Sequence, residues 1–314
     1  GIQGEIHHDE WVNFAHNRNC ALQHAQGKTD YVLIFDADDR FEGNFVLPEE
    51  LTSDRYYLRM ANSVTGANVY FRTLMFRNDG SFYWRGVLHE FVEQRKKTIV
   101  EQKIFGDYYV ISGRFGARSN NPQKYFQDAQ VLEKAFYSPE DEDLKDRYAF
   151  YTAQSYRDAD MPEKAIEWYA KRANLGGWYE EVYYSLLQIA LLKIELNASL
   201  SEIQNLLLAT YEYRPQRAES LYHLARQLRY HNKAKQVYIY ATVAANIPLS
   251  KDILFVDHSV YEWKAKEELA MSANSVGNYQ LCHDLCVELL FNPAVPESNR
   301  KLLLDNLKLA KEHL

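Results

Sequence analysis

Cysteine is scarce in this chain: its 314 residues include three, Cys20, Cys282 and Cys286. An odd, sparse set without a framework of spacings excludes a disulfide-stapled scaffold. It points to a reducing compartment, so a cytoplasmic location is expected. Cys282 and Cys286 stand one helical turn apart, but zinc would need further Cys or His ligands. His283 points off another helix face, so the two thiols are expected in a core. Long apolar runs are missing too: none approaches the roughly 18 residues that cross a bilayer. No signal-peptide pattern opens the chain, which begins with Gly1. Basic tracts are short, and Arg95-Lys96-Lys97 is too brief for a polybasic arm. With 43 acidic against 36 basic side chains and a formal net charge of -7, no nucleic-acid partner is expected.

Aromatic residues, by contrast, are plentiful, with 24 Tyr and 15 Phe. They fill half-buried strands and helix seams and also make platforms for sugar rings; composition does not choose between these uses. The length suffices for two domains, each with its own core.

The pattern changes near residue 120. Before it, short strand-like runs alternate with turns; after it, apolar residues recur at helical spacing. Phe14 to Ala25 predicts a helix with Phe14, Ala21, Leu22 and Ala25 on one face, Asn13 as its cap and Gly27 at its end. The continuous apolar run Tyr31–Phe35 suits a central strand buried on both faces. Further strands are expected at 56–60, 69–76, 87–92 and 108–111, with a turn at Asn78-Asp79-Gly80. The expected fold is therefore α/β plus all-α: a mixed-sheet domain over 1–120 and a helical-repeat domain over 121–314. Three repeat units stand out, Ala149–Tyr169, Leu221–Pro248 and Leu269–Pro296, with small residues where paired helices would approach closely. They resemble tetratricopeptide repeats in degraded form, and 298–314 is expected to be a capping helix.

The sharpest chemical feature is Asp36-Ala37-Asp38, directly after the apolar run. Open α/β sheets put ligands at the carboxyl ends of their strands. Two carboxylates two residues apart in a tight turn can face a hard cation that also meets diphosphate oxygens. A calcium-binding EF-hand loop is excluded, because Phe41 and Leu47 stand where Gly and Glu are required. Asp39 adds a third carboxylate, and such a cluster repels itself unless cations compensate.

Three blocks in order carry a resemblance. The segment from Trp11 through Phe14 to Arg18-Asn19, the strand ending in Asp36-Ala37-Asp38, and Trp84-Arg-Gly86-Val-Leu-His89-Glu90 together resemble family 2 glycosyltransferases of GT-A fold. The resemblance covers roughly residues 9–175. It implies a partial GT-A-like domain, because the family's opening strand–helix–strand, which binds nucleobase and ribose, has no counterpart in residues 1–10. Two positions depart from the family: Asn13 stands where Asp is frequent, and Ser112 where His is frequent.

By that resemblance Asp36 and Asp38 hold Mn²⁺ or Mg²⁺ and the donor diphosphate, with His89 a candidate for a further metal ligand or a diphosphate contact. Glu90 is the general base for an acceptor hydroxyl, with Asp39 as competitor. Arg18 either contacts the donor diphosphate or pairs with a carboxylate, while Arg114 and Arg118 are candidate diphosphate contacts in the Gly- and Arg-rich loop 112–119, whose glycines permit it to close. Trp84 is either a sugar-stacking wall or a buried strand residue. The implied activity is metal-dependent, inverting transfer of a hexose or N-acetylhexosamine from a nucleotide sugar, with UDP the expected nucleotide, to a glycan or protein acceptor held by the repeats. The alternative is a TPR-like interaction scaffold carrying an inactive transferase remnant.

Overall fold

The computed structural model describes residues 4–61, 70–113 and 121–314. The chain divides into two compact units, Gly1–Ala159 and Asp160–Leu314. Helices begin near residue 120, as the composition shift predicts, but the first two of them belong to the unit that contains the sheet.

In the first unit α1 (Phe14–Ala25) starts where expected, because the Asn13 side chain accepts a hydrogen bond from the His16 amide at 2.8 Å. Its exit turns on Gly27 at φ 73°, a conformation glycine adopts without a Cβ penalty. The strands follow as β1 (Tyr31–Leu33), β2 (Arg40–Gly43), β3 (Arg55–Ala61), β4 (Tyr70–Arg77), β5 (Phe82–Arg85), β6 (Phe91–Gln94), β7 (Glu101–Lys103) and β8 (Tyr108–Ile111). The main sheet runs β1-β4-β3-β8-β2, with β7 also paired to β3, while β5 and β6 form a separate hairpin. It is mixed: β3 is parallel to β7 and β8 and antiparallel to β4.

Strand β3 lies at the centre and alternates, burying Tyr56, Leu58 and Met60 completely. Each such side chain contributes about 2 kcal/mol through the apolar surface it loses. The expected central role of the 31–35 run is not what the structure shows. Among the described residues β1 pairs only with β4, and Leu33 and Phe35 remain partly exposed. A continuous apolar run reports hydrophobicity, not the number of neighbouring strands. The expected strand at 87–92 is displaced as well: β6 starts at Phe91, and the stretch before it turns through Gly86 and His89, both at positive φ. Helices α2 (Lys124–Phe136) and α3 (Lys145–Asp158) pack on each other through Leu132, Ala135, Leu144 and Tyr148, with Leu88 in the same cluster.

The second unit consists of α4 (Pro162–Leu175), α5 (Tyr179–Glu195), α6 (Leu200–Tyr213), α7 (Glu219–Tyr230), α8 (Ala234–Asn246), α9 (Ala265–Ser275), α10 (Tyr279–Phe291) and α11 (Glu297–Lys311). Each helix from α4 to α11 packs against the next, and α9 also meets α7 and α11. This is the repeat pattern of TPR-like helix pairs. Ala225, Ala241, Ala244, Ala270, Cys282 and Cys286 are buried at the crossings, where small side chains allow close approach. The two thiols lie 4.0 Å apart within an apolar cluster with Leu289 and Leu303, and burial pushes that of Cys286 up to about 12. Helices α5 and α6 fall outside the three expected repeat units. The helix over 298–314 is present as α11.

A buried ionic group organises this unit. Arg217 is fully buried and donates to both Glu219 oxygens and to the Leu254 and Phe255 carbonyls. Glu180 accepts from the Ile253 and Leu254 amides at 2.8 and 2.7 Å. The irregular stretch 247–257 that follows α8 is thus held by charge-assisted hydrogen bonds, before a π-helical turn (Val260–Lys264) leads into α9.

Candidate acidic site

The three sequence blocks that carry the resemblance meet at one guanidinium. Arg18, on α1, donates from Nη2 to Asp36 Oδ1 at 2.7 Å and from Nε to Glu90 Oε1 at 2.8 Å. Its guanidinium lies over the Trp84 ring, 4.7 Å from the centroid. Burial opposes the charge on Arg18, but the Asp36 and Glu90 carboxylates outweigh it and hold the group above its ordinary value.

The neighbour of Arg18 fixes this arrangement. Asn19 accepts from the Trp84 amide at 2.8 Å and donates to the Trp84 carbonyl at 2.9 Å. Its side chain acts as one more strand residue, docking α1 onto β5. Arg18 and Asn19 therefore have different work: one gathers carboxylates and the other sets the helix at the height where it can.

The acidic turn folds on itself. The Asp39 amide donates to the Asp36 carbonyl at 2.9 Å, and the Asp36 amide donates to Asp39 Oδ2 at 3.2 Å. Asp39 Oδ1 is buried without a donor. Gly113, just past β8, packs against this turn. A Cβ there would overlap the Asp38 carbonyl oxygen and come within 2.7 Å of the Asp38 Cβ. The absence of a side chain at Gly113 makes room for Asp38.

The residue roles redistribute accordingly. Trp84 is 3% exposed, so it offers no open wall to a sugar and serves as the floor beneath Arg18. His89 is drawn away from the carboxylates: its ring stacks on Tyr151 at 3.9 Å, and its carbonyl accepts from Arg147 at 2.6 Å. Asp39 is occupied in shaping the turn. Arg114 and Arg118 lie outside the described residues.

Among the described residues no three His, Cys, Asp or Glu side chains gather as a metal site. Asp36 and Asp38 still fit Mg²⁺ or Mn²⁺ of the kind held by one or two carboxylates plus substrate phosphates, and the undonated Asp39 oxygen adds negative potential there. His89 does not belong to that set.

Beside Glu90 a cleft of about 720 Å³ opens between β4, the His89 turn and the α2/α3 pair. Its α3 lining, Arg147, Tyr151, Gln154, Ser155 and Asp158, recurs at helical spacing. That periodicity was readable in the sequence, but nothing there linked it to residues of β4.

No protein-family model matches the chain, and no curated protein matches it. Among solved structures it is similar to MamA, at 12% identity with a TM-score of 0.39, covering 65% of this chain and 96% of that one. It is also similar to the nearly identical TPR-like repeats of a Podosopora anserina kinesin light chain candidate, at 13% identity with a TM-score of 0.36, covering 62% of this chain and 88% of that one. Both scores are low, and the functional reading rests on the chain's own geometry. No helix among the described residues is long and apolar enough to cross a membrane.

Proposed function

We propose that the chain acts as a TPR-like protein-interaction scaffold whose α/β unit keeps a transferase-type acidic site closed by its own arginine. The observation that carries this reading is the Arg18 bridge, in which the cation joining Asp36 to Glu90 is supplied by the protein itself. The helical unit supports the scaffold role with half-exposed aromatic side chains such as Tyr179, Tyr213 and Tyr230 on an array of stacked helices. Calorimetric titration with UDP and UDP-sugars, with and without Mn²⁺, tests it. The scaffold reading expects no metal-dependent heat, and a saturable Mn²⁺-dependent one would overturn it.

That second outcome would favour metal-dependent glycosyl transfer from a nucleotide sugar, a reading motivated by the undonated Asp39 Oδ1 beside Asp36. Asp36 and Asp38 would hold Mn²⁺ or Mg²⁺, which supplies charge neutralisation for a leaving diphosphate. Glu90, released from Arg18, would take the proton of an acceptor hydroxyl. On this reading Asp38→Asn abolishes donor binding, whereas Glu90→Gln spares binding and removes transfer.

A further inference from the structure

The cleft beside Glu90 is lined by hydrogen-bond donors that lack acceptors. Gln154 Nε2 and Arg147 Nε are both buried and unpartnered. Among the described residues Arg72 and Lys124, which line the same space, make no ion pair. The carboxylates of the cleft do not answer them. Glu90 is bound by Arg18, Asp158 by Arg157, and Asp128 is buried and partnered. Buried polar groups in folded proteins are rarely left unpaired, so the two buried donors, with the partly exposed Arg72 and Lys124 charges beside them, call for an acceptor-rich occupant.

The walls specify more. Tyr70 shares the parity of Arg72 on β4, so both point to one face, and Tyr70 is 45% exposed. Tyr125 stands opposite on α2, also partly exposed, with Lys124 over its ring at 5.2 Å. The stacked His89–Tyr151 pair, covered on one side by Arg147, completes an aromatic lining. Flat aromatic faces suit the C–H surface of a pyranose, whose hydroxyls accept from amide and guanidinium donors. The volume is that of a small-ligand site.

We propose that this cleft binds an anionic carbohydrate, a sugar bearing a phosphate or a carboxylate. The charge pairs with Arg72 and Lys124, the ring lies against the tyrosines, and ring oxygens accept from Gln154 and Arg147. The inference stands on the cleft's own donors and walls and depends on neither reading of the acidic site.

Titration of the full chain with glucose 1-phosphate, glucuronate, glucose and inorganic phosphate tests it, with binding followed by calorimetry and by tyrosine fluorescence. At least one of the two anionic sugars is expected to bind about tenfold tighter than glucose and than phosphate alone, the gain of one charge-assisted contact. Which of them wins distinguishes a phosphate from a carboxylate as the charged group. Arg72→Gln and Gln154→Leu are each expected to weaken that binding by about tenfold. Melting temperatures of both variants within a few degrees of the parent would show that the loss is local. Equal affinity for glucose and the anionic sugars, phosphate binding as tightly as glucose 1-phosphate, no saturable binding by any probe, or unchanged binding in folded Arg72→Gln would each overturn the proposal.

Discussion

The Arg18 guanidinium stands between Asp36, at 2.7 Å, and Glu90, at 2.8 Å, so a single helix residue neutralises carboxylates from two distant segments. Without it, the two acids would face each other over Trp84 with no cation between them. Arg18→Met should therefore destabilise the first unit by about 2 kcal/mol, less than a fully buried pair would cost because Asp36 is partly exposed. Urea denaturation of the variant checks this. Adding Glu90→Gln should recover part of the loss, and a further loss on combining the two would refute the bridge.

Asn19 is the second point of attachment. Replacing it by Ala removes both hydrogen bonds to the Trp84 backbone and leaves buried strand groups unpaired, at a cost of about 2 kcal/mol. Because the helix then loses its register on β5, Arg18 should lose its partners too. A double-mutant cycle with Arg18→Met would read this as coupling of about 1 kcal/mol, and strict additivity would show that the two residues act separately.

How much of this was legible in sequence differs by residue. The capped helix from Phe14, the strand at 108–111 and the turn at Asn78-Asp79-Gly80 follow from local chemistry and stand where expected. That Arg18, Asp36 and Glu90 share a site was implied only by the resemblance of three blocks, because no spacing rule links positions so far apart. Trp84 shows the limit: an aromatic residue reads equally as ligand platform or core, and only its 3% exposure decides. The edge position of β1 and the withdrawal of His89 to Tyr151 depend on tertiary pairing. Arg72 and Gln154 carried no local signal at all, since an unpaired donor is visible only once its surroundings are known.

Gly113 is expected to be intolerant for a reason of space. In Gly113→Ala the new methyl overlaps the Asp38 carbonyl, so either the end of β8 or the acidic turn must move. The expected cost is about 1–3 kcal/mol, the range for overpacking in a close contact. Thermal denaturation of this variant beside Ala37→Gly, which loosens the same turn without crowding it, separates overlap from flexibility. An unchanged midpoint for Gly113→Ala would mean that the close approach is not maintained.

His223 gives the second unit a pH dependence whose sign is fixed. On α7 it has no hydrogen-bond partner among the described residues. Burial, then the Arg226 and Lys264 charges, outweigh the attraction of Asp257 and lower its pKa from 6.5 to about 4. Above pH 6.5 the ring is neutral both folded and unfolded and has no effect. As pH falls below that value, the unfolded chain takes up a proton that the native ring refuses, and stability is lost until about pH 4. His223→Phe should therefore flatten the decline in melting temperature over this range. A slope identical to that of the parent would place the titration elsewhere.

Arg217 offers the largest single effect in the second unit. It is fully buried, and its removal leaves the Glu219 carboxylate, itself 1% exposed, without its main counter-charge. Breaking a buried pair from one side costs about 3–5 kcal/mol, mostly the burden of the stranded charge. Arg217→Met should therefore lower stability by that amount, whereas Arg217→Met with Glu219→Gln should recover a substantial part. The loss also has a local signature, because Arg217 donates to the Leu254 and Phe255 carbonyls. Limited proteolysis should cut Arg217→Met first between α8 and α9, where Ile253 is 83% exposed and the chain is tied down by Arg217 and Glu180. Cleavage that begins elsewhere, with this connection intact, would show that Glu180 holds it without Arg217.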